Sequence, residues 1–423
     1  MLETASQITW RNLPLCELWR KLYRSKRFER FNLQDLSEYV DSHKNQTIQD
    51  LLPERIIPEI ESTDIYGDEW FETQGLYLIV NLLTYPELLD ILPNFLVPEK
   101  KNDHLPNKIS LQRLTAPLPS KYLIELTNNC NLKCIMCGVG ELPYDHSKTI
   151  SLDAFESLMR NIQTNSDPSK LTFRLNGLGE STILPNFLKY LAIVPQKSHV
   201  ELVTNLTIVD AEIWETLIRR DALLLVSCDA VGEKFEFIRK GASFPIFTNN
   251  LKLLQTLRKK YRKGTVYVIF TCQKENYEDL LDVINLVAEH DLDGLIVNMV
   301  KLPDNSWMLF RSNELIGIFK KASTLASRYN LDLKLPDHLE TIQLELTYTR
   351  PSSAKMCPNP WSEIYIRYNG DVTVCNMLNP YIYGNINYQA FEQIWNGINA
   401  QLFRKTINTD ARHPYCKNCY YLR

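Results

Sequence analysis

The chain lacks any apolar run of about 18 residues, the length that a membrane-spanning helix needs. Its first residues carry basic side chains such as Arg11, Arg20 and Arg24 and lack the apolar core of a secretory signal. Neither sign of charge dominates, because 47 Lys and Arg stand against 50 Asp and Glu, for a net charge of -3. Repeats of fixed period and low-complexity segments are absent as well. These absences predict a cytoplasmic protein with no membrane or nucleic-acid partner.

Cysteine, by contrast, is present and clustered. Seven of the ten cysteines fall into two groups with short spacings. Disulfides are rare in cytosolic proteins, so these groups indicate metal or redox chemistry. With 423 residues, of which 44% are apolar, the chain is long enough for two or three domains.

Short β-rich runs alternate with amphipathic stretches through the middle of the chain. The predicted strands are Tyr122–Leu126, Leu171–Leu175, Val200–Val203, Leu223–Ser227, Val266–Thr271 and Leu295–Val300. The predicted helices are Leu152–Ile162, Leu184–Ala192, Ala211–Arg219, Thr248–Arg262, Tyr277–His290 and Glu314–Tyr329. This alternation predicts an α/β fold with a parallel sheet, whose functional groups collect at the carboxyl ends of the strands.

Cys130, Cys134 and Cys137 follow the first predicted strand with CxxxCxxC spacing. A cubane iron-sulfur cluster takes four ligands, so three thiolates in one loop leave the fourth iron open to a small molecule. The alternative is a zinc knuckle, but structural zinc sites pair their ligands in two halves. The nearest further ligand here is His146. We therefore expect a [4Fe-4S] cluster.

This spacing resembles that of the radical S-adenosylmethionine (SAM) enzymes. The resemblance implies a partial (β/α)6 barrel over residues 116–340. It also implies that the open iron binds SAM, which an electron from a reductant such as flavodoxin or ferredoxin cleaves to a 5′-deoxyadenosyl radical.

The segment after the second strand, Asn176-Gly177-Leu178-Gly179-Glu180-Ser181, resembles the Gly-Gly-Glu-Pro motif of that family. Glycines let a backbone approach a ligand closely. The resemblance implies that Gly177, Gly179 and Glu180 receive the amino group of SAM. Leu178 and Ser181 depart from the motif.

Polar residues also follow later strands. The same resemblance implies that Asn205, Ser227 and Arg239 contact the ribose and the methionine carboxylate of SAM. Asp229 is a candidate contact of the substrate instead of SAM. The alternatives are helix capping and surface ion pairing.

The second cysteine group begins with Cys357 and Cys375, which flank a hairpin predicted from its Asn-Gly turn, and continues with Cys416 and Cys419. Segment 341–423 resembles the SPASM/twitch extension of radical SAM enzymes, which implies an auxiliary [4Fe-4S] cluster. Two alternatives stay open: a zinc site of four cysteines, and no cluster, with one thiol acting as a hydrogen donor.

Residues 1–115 are predicted to form a mainly helical N-terminal domain that ends in a proline-dotted linker. Its segment 19–28 is basic with interleaved aromatics. Such a segment suits an acidic peptide or, alternatively, a solvated helix face over a small core.

SPASM/twitch enzymes act largely on ribosomal peptides, protein side chains or small alcohols and aminoglycosides. A large N-terminal domain suits a precursor peptide, whose leader it can hold. The layout resembles the radical SAM peptide epimerases of proteusin-type products, isomerases in which a cysteine returns hydrogen to give a D-residue. Cys272 and Cys375 are the candidate donors, with Cys357 behind them; the alternative for Cys272 is a small buried apolar residue.

Three other functions are compatible with the sequence. The chain would cross-link a peptide through C–C or C–S bonds, oxidise a small molecule as a SAM-dependent dehydrogenase, or serve as an iron-sulfur sensor without catalysis.

Overall fold

The computed structural model describes residues 77, 78, 81, 114–137, 139, 145–300, 312–336, 357–375, 381–409, 412, 413 and 416. The chain divides into two compact units. One comprises Ser120–Ala354 and Tyr365–Gly370, and the other comprises Met1–Pro119, Lys355–Ile364 and Asp371–Arg423. The predicted N-terminal domain lies almost entirely outside the described residues, so the division into three domains stays a prediction.

The first unit is built on a parallel sheet. Its strands are β1 (Lys121–Ile124), β3 (Thr172–Arg174), β4 (His199–Thr204), β5 (Leu223–Ser227), β7 (Thr265–Cys272), β8 (Gly294–Met299) and β9 (Asp332–Lys334). They lie in the order β1-β3-β4-β5-β7-β8-β9, with every neighbouring pair parallel. Two short strands, β2 (Lys133–Cys134) and β6 (Arg239–Lys240), pair separately in the antiparallel sense. All carboxyl ends of the parallel strands therefore meet at one edge of the sheet.

Helices connect these strands. They are α1 (Leu152–Asn165), α2 (Phe187–Ile193), α3 (Ala211–Arg219), α4 (Gly232–Ile238), α5 (Phe244–Tyr261), α6 (Leu280–Glu289) and α7 (Ser312–Tyr329). Polar side chains begin two of them, because Ser151 Oγ accepts from the Ala154 N–H at 3.1 Å and Asp210 Oδ1 accepts from the Glu212 N–H at 3.0 Å. The long α5 ends in basic residues, which suit the negative end of its dipole.

Burial alternates along the strands and separates two faces of the sheet. On β7, Val266, Val268, Phe270 and Cys272 are fully buried. The residues between them are only half-buried, and β4 shows the same alternation. Successive side chains on a strand point to opposite faces. We call the fully buried side the core face, and the side that bears Tyr267, Ile269 and Thr271 on β7 the open face.

Charged groups occupy the amino end of the open face. Glu201 Oε2 accepts from Arg174 Nε at 2.6 Å, and Glu201 Oε1 accepts from Lys121 Nζ at 3.1 Å. Burial would raise the pKa of Glu201, but the charges of Arg174 and Lys121 hold it below its usual value. These groups satisfy one another at that end of the sheet.

The second unit contains α8 (Asn359–Ser362), β11 (Asp371–Thr373), β12 (Gly384–Asn385), α9 (Phe391–Trp395) and α10 (Ile398–Thr406), while β10 (Glu363–Ile366) crosses the boundary between the units. Its core includes a fully buried Arg404, whose guanidinium lies 4.4 Å from the centre of the Trp395 ring. Arg404 Nε donates to Pro360 O at 2.8 Å, and Arg404 Nη1 donates to Leu114 O at 2.9 Å. One buried cation therefore ties three segments of this unit together.

The predicted α/β fold with a parallel sheet is confirmed. All six predicted strands and all six predicted helices are present, and the observed strand ends differ from the predicted ones by at most two residues. The turn predicted at Asn-Gly before β11 is present too, since the Gly370 N–H donates to Arg367 O at 2.8 Å and Gly370 has φ of +88°. The short strand β9 was not predicted, because its three polar or half-exposed residues carry no hydrophobic alternation. Within the described ranges, no helix is both long and apolar enough to cross a membrane.

Candidate active site

The first group of cysteines, Cys130, Cys134 and Cys137, lies in a loop whose two ends are hydrogen-bonded to each other. Thr127 and Thr149 form an antiparallel bridge, and the Ile150 N–H donates to Leu126 O at 2.9 Å. Asn129 fastens the far side, because its Nδ2 donates to Asp145 O and its Oδ1 accepts from the Asp145 N–H, both at 2.8 Å. The loop is therefore held in place by its own backbone and by one amide side chain.

The thiols of this loop are close enough to affect one another. Cys130 and Cys134 are half-buried and Cys137 is exposed. The Leu132 N–H donates to Cys130 Sγ at 3.4 Å. Burial raises the pKa of Cys130 to about 11; the Leu132 N–H opposes this rise, and the charges of Glu180 and the other two thiols add to it. The Cys130 thiol keeps its proton until a metal displaces it.

These thiols match the donor set of a cubane. Among the described residues, no three His, Cys, Asp or Glu side chains converge as ligands of one metal ion would. A cubane makes a different demand, because each thiolate binds a separate iron. Three neighbouring thiols, with donors aimed at two of the sulfurs, meet that demand.

One of those donors is Arg239, which the β2–β6 pair places directly opposite Cys134. Arg239 Nη1 lies 3.9 Å from Cys134 Sγ. Burial alone would lower the pKa of Arg239, but the charges of Asp229 and Cys134 raise it. A guanidinium that stays charged stabilises a thiolate beside it.

Asp229 balances the charge of Arg239. Asp229 Oδ2 lies 2.6 Å from Arg239 Nη2, and the two side chains are 0% and 8% exposed. Asp229 Oδ1 also accepts from the Thr271 N–H at 2.7 Å. The buried pair thus joins the cysteine loop to the ends of β5 and β7. The predicted contacts of Arg239 with SAM and of Asp229 with substrate stay predictions; in the structure the two side chains bind each other.

The two motif glycines pack against protein backbone and side chain. A Cβ on Gly179 would lie 2.4 Å from Asn129 O and 2.5 Å from Thr127 O. A Cβ on Gly177 would lie 2.1 Å from Glu125 Cγ. Both positions therefore need glycine so that the motif can pack against the cysteine loop and the end of β1. This requirement for glycine does not depend on any ligand.

The Glu180 carboxylate is buried and amply hydrogen-bonded. Glu180 Oε1 accepts from the hydroxyls of Thr182 (2.6 Å) and Thr204 (3.0 Å), and from the Thr182 N–H at 3.2 Å. Its Oε2 accepts from the Asn205 N–H at 2.6 Å. Burial raises the pKa of Glu180, against these bonds. The carboxylate fixes the end of β4 to the motif, and its predicted contact with the SAM amino group stays a prediction.

Asn205 and Ser227 lie at adjacent strand ends. Asn205 Nδ2 donates to Asn131 Oδ1 in the cysteine loop at 2.9 Å, and its Oδ1 accepts from the Thr207 hydroxyl at 2.7 Å. Ser227 is half-buried and lies opposite Ile269 in the β5–β7 register. The structure therefore brings Asn205 to the cysteine loop, and it places Ser227 on the open face.

The second cysteine group is described in part. Cys357 and Cys375 are half-buried and Cys416 is buried, whereas Cys419 lies outside the described residues. The Cys357 N–H donates to Asn408 Oδ1 at 3.0 Å. The charges of Cys357 and Cys375 both act on the buried Tyr383, whose hydroxyl has no hydrogen-bond partner in the described part of the chain. A buried donor in the same unit as these thiols fits a cluster whose sulfurs accept hydrogen bonds.

Both cysteine groups lie within regions that match known families. Residues 124–304 match the radical SAM superfamily, and residues 357–420 match SPASM, an iron-sulfur cluster-binding domain. The chain contains a radical SAM domain and a SPASM domain. The radical SAM domain implies a [4Fe-4S] cluster and SAM, and the SPASM domain implies auxiliary iron-sulfur binding.

Similar proteins share most of this layout. The chain is 22% identical, over 71% of its length and 87% of the relative's, to the tungsten-containing aldehyde ferredoxin oxidoreductase cofactor-modifying protein of Pyrococcus furiosus. It is 24% identical, over 79% and 75%, to the antilisterial bacteriocin subtilosin biosynthesis protein AlbA of Bacillus subtilis. Streptococcus suis SuiB, solved with its precursor peptide SuiA, has the same fold with a TM-score of 0.51, at 13% identity over 81% of this chain and 91% of SuiB.

Cys272 lies on the core face of the radical SAM domain. It is fully buried in line with Val268 and Phe270, while Thr271 points to the open face. Burial, followed by the charge of Asp229, raises the pKa of Cys272 to about 12. This placement matches the alternative considered for Cys272, that of a small buried apolar residue.

Sequence reasoning missed two features of the radical SAM domain. Glu125, at the end of β1, is a buried carboxylate whose Oε2 accepts from the Tyr365 hydroxyl at 2.7 Å. Thr271 and Asn298 are paired in the β7–β8 register at the carboxyl end of the open face. A carboxylate ending an apolar strand was a visible signal for the first; the second required the strand register.

Proposed function

We propose that this protein is a radical SAM enzyme that modifies a ribosomally synthesised precursor peptide. The comparison with AlbA supports this proposal, because its name refers to bacteriocin biosynthesis and the similarity spans 79% of this chain. The likeness of the fold to that of SuiB, which was solved with a precursor peptide, is consistent with it.

The open face of the sheet is the proposed binding surface. Ser227, Thr271 and Asn298 lie on neighbouring strands at its carboxyl end, the same edge that carries the cysteine loop. Ser227 and Thr271 are half-buried and Asn298 is exposed, so their polar groups are accessible to a ligand. Hydroxyls and an amide can bond both SAM and the main chain of an extended peptide.

Once bound to the cluster, SAM supplies a 5′-deoxyadenosyl radical that removes a hydrogen atom from substrate. The proposed task of Asn205 and Ser227 is to orient SAM. The backbone around Glu180, which the Glu180 carboxylate holds in place, offers polar groups to its amino end. The open face would select the reacting carbon by the way in which it presents the peptide.

We favour L-to-D epimerisation as the outcome. The α-carbon loses one hydrogen atom, a cysteine S–H returns one to the opposite face, and the sulfur radical left behind takes one electron and one proton from the reductant and solvent. The candidate donors are Cys272, whose side chain belongs to the core face, and Cys375, which has an S–H to give only where it binds no iron. Cross-linking is the second outcome; one hydrogen atom of the peptide would leave in deoxyadenosine and a second as a proton to solvent and an electron to an iron-sulfur cluster, and no hydrogen donor is needed.

Mass spectrometry in heavy water separates these outcomes. The anaerobically reconstituted enzyme is incubated with reductant, SAM and a candidate precursor peptide. A gain of one deuterium per modified residue supports epimerisation, and a loss of two hydrogens supports cross-linking. Deoxyadenosine release without any change in a panel of precursor peptides would contradict a peptide substrate and favour a small molecule. No deoxyadenosine at all would refute the radical SAM activity itself.

A further inference from the structure

A buried hydroxyl in the SPASM domain lacks an explanation within the protein. Tyr383 directly precedes β12, and its side chain is 0% exposed. Its hydroxyl oxygen has no hydrogen-bond partner in the described part of the chain. Native proteins satisfy nearly all buried hydroxyls, because leaving one unpaired is costly. This hydroxyl therefore indicates an acceptor other than the protein groups around it.

Three described side chains near Tyr383 do not provide that acceptor. Phe403, whose ring centre lies 5.9 Å away, has no polar atom. Tyr381 meets the Tyr383 ring edge-on at 6.1 Å, and its own hydroxyl donates to Asn399 O at 3.0 Å. Arg404 is near enough to act on the pKa of Tyr383, but a guanidinium only donates.

The pairing of β11 with β12 brings Tyr383 toward the second cysteine group, because its neighbour Gly384 lies opposite Val372. The Tyr383 N–H donates to Val372 O at 2.7 Å, three residues before Cys375. Burial raises the pKa of Tyr383 well above its ordinary value, Arg404 opposes this rise, and the charges of Cys357 and Cys375 add to it. The phenol can therefore serve as a hydrogen-bond donor, and it lies next to the strand pair that leads to Cys375.

We propose that the Tyr383 hydroxyl donates a hydrogen bond to a sulfur of the auxiliary cluster bound by Cys357 and Cys375, and that this bond raises the cluster's reduction potential. Reduction adds negative charge to the cluster sulfurs, so a donor to sulfur stabilises the reduced state. The role concerns the SPASM domain alone and does not depend on which substrate the enzyme modifies.

The test isolates the auxiliary cluster in the full-length chain. Cys130→Ala, Cys134→Ala and Cys137→Ala remove the ligands of the first cluster, so an EPR-monitored redox titration without substrate reports only the second. Adding Tyr383→Phe is expected to leave the iron content unchanged and to shift the reduction equilibrium about tenfold toward the oxidised state, about 59 mV for a one-electron couple.

Tyr381→Phe is the matched control. Tyr381 is also fully buried, but its hydroxyl donates to Asn399 O, so removing this hydroxyl should leave the reduction potential of the auxiliary cluster unchanged. A Tyr383→Phe potential equal to that of the parent or of Tyr381→Phe overturns the proposal. Failure of the cysteine-substituted parent to take up about four irons, one cubane, overturns it as well.

Should Tyr383→Phe fail to fold, a second measurement decides. Replacing all tyrosines with 3-fluorotyrosine makes each hydroxyl a stronger donor without removing it. The proposal expects the auxiliary potential to rise, in the parent and in Tyr381→Phe alike. An unchanged potential in the fluorinated protein overturns the proposal.

Discussion

Gly179→Ala tests whether the motif glycine serves to seat the cysteine loop. The new Cβ would lie 2.4 Å from Asn129 O and 2.5 Å from Thr127 O, both backbone atoms. To restore an ordinary contact of about 3.5 Å, the loop has to retreat by about 1 Å. Overpacking of this kind costs about 1–3 kcal/mol.

The retreat also stretches a hydrogen bond. The Glu180 N–H donates to Asn129 O at 2.8 Å, and a lost bond of this type costs about 1 kcal/mol. We therefore expect Gly179→Ala to lower the free energy of unfolding by roughly 2–4 kcal/mol. Because the displaced backbone carries Cys130, iron incorporation at the first cluster should fall as well.

Two other glycines calibrate the measurement. A Cβ on Gly317, within α7, meets no atom within 4 Å, so Gly317→Ala should stabilise the helix by up to about 1 kcal/mol. Gly177→Ala meets the Glu125 side chain, not backbone, so its cost depends on how far that carboxylate can move. Urea unfolding of the apo-protein and iron analysis after anaerobic reconstitution provide both readouts. If Gly179→Ala matched Gly317→Ala in stability and iron content, the packing role assigned to Gly179 would be refuted.

Three further perturbations follow from buried groups. Asp229→Asn leaves Arg239 buried without its counter-charge and should lower the free energy of unfolding, measured in urea, by about 3–5 kcal/mol. The exposed ion pair of Glu156 provides the control, because Glu156→Gln should change the free energy of unfolding by about 0.5 kcal/mol or less. Burial lowers the pKa of His413 from 6.5 to about 4, so only the unfolded chain takes up a proton between these values. As the pH falls through that window, the free energy of unfolding of the apo-protein should decrease by up to about 3 kcal/mol. His413→Gln should remove this part of the pH dependence. If the free energy of unfolding fell equally steeply with pH in both proteins, this prediction would be wrong. Cys375→Ala removes a predicted ligand of the auxiliary cluster and should lower the iron content by about four irons, one cubane, whereas Cys272→Ala, on the core face, should keep all the iron. Full iron content in Cys375→Ala would contradict its role as a ligand, and loss of deuterium incorporation in Cys272→Ala with full iron content would assign the hydrogen donor to Cys272.

Local sequence patterns were sufficient for much of the fold. Strand alternation and helix periodicity involve neighbours along the chain, so β4, β5 and β7 could be placed within a residue or so of their ends. The spacing of Cys130, Cys134 and Cys137 is likewise local, and it predicted the iron-sulfur chemistry that the radical SAM match supports. The position of Cys272 on the core face could also be predicted from the sequence, because Cys272 continues the two-residue period of Val268 and Phe270.

Contacts between distant segments could not be predicted in this way. Arg239 reaches Cys134, 105 positions away, only because β2 and β6 pair, and Asp229 reaches Arg239 only because both are buried at the same end of the sheet. Sequence alone determined which residue types carry the chemistry and which strands present them. The tertiary structure decided their partners: it gave Arg239 a counter-ion, packed Gly179 against the cysteine loop and left the buried Tyr383 hydroxyl without a hydrogen-bond partner in the described part of the chain, because hydrogen bonding and charge balance depend on proximity in space.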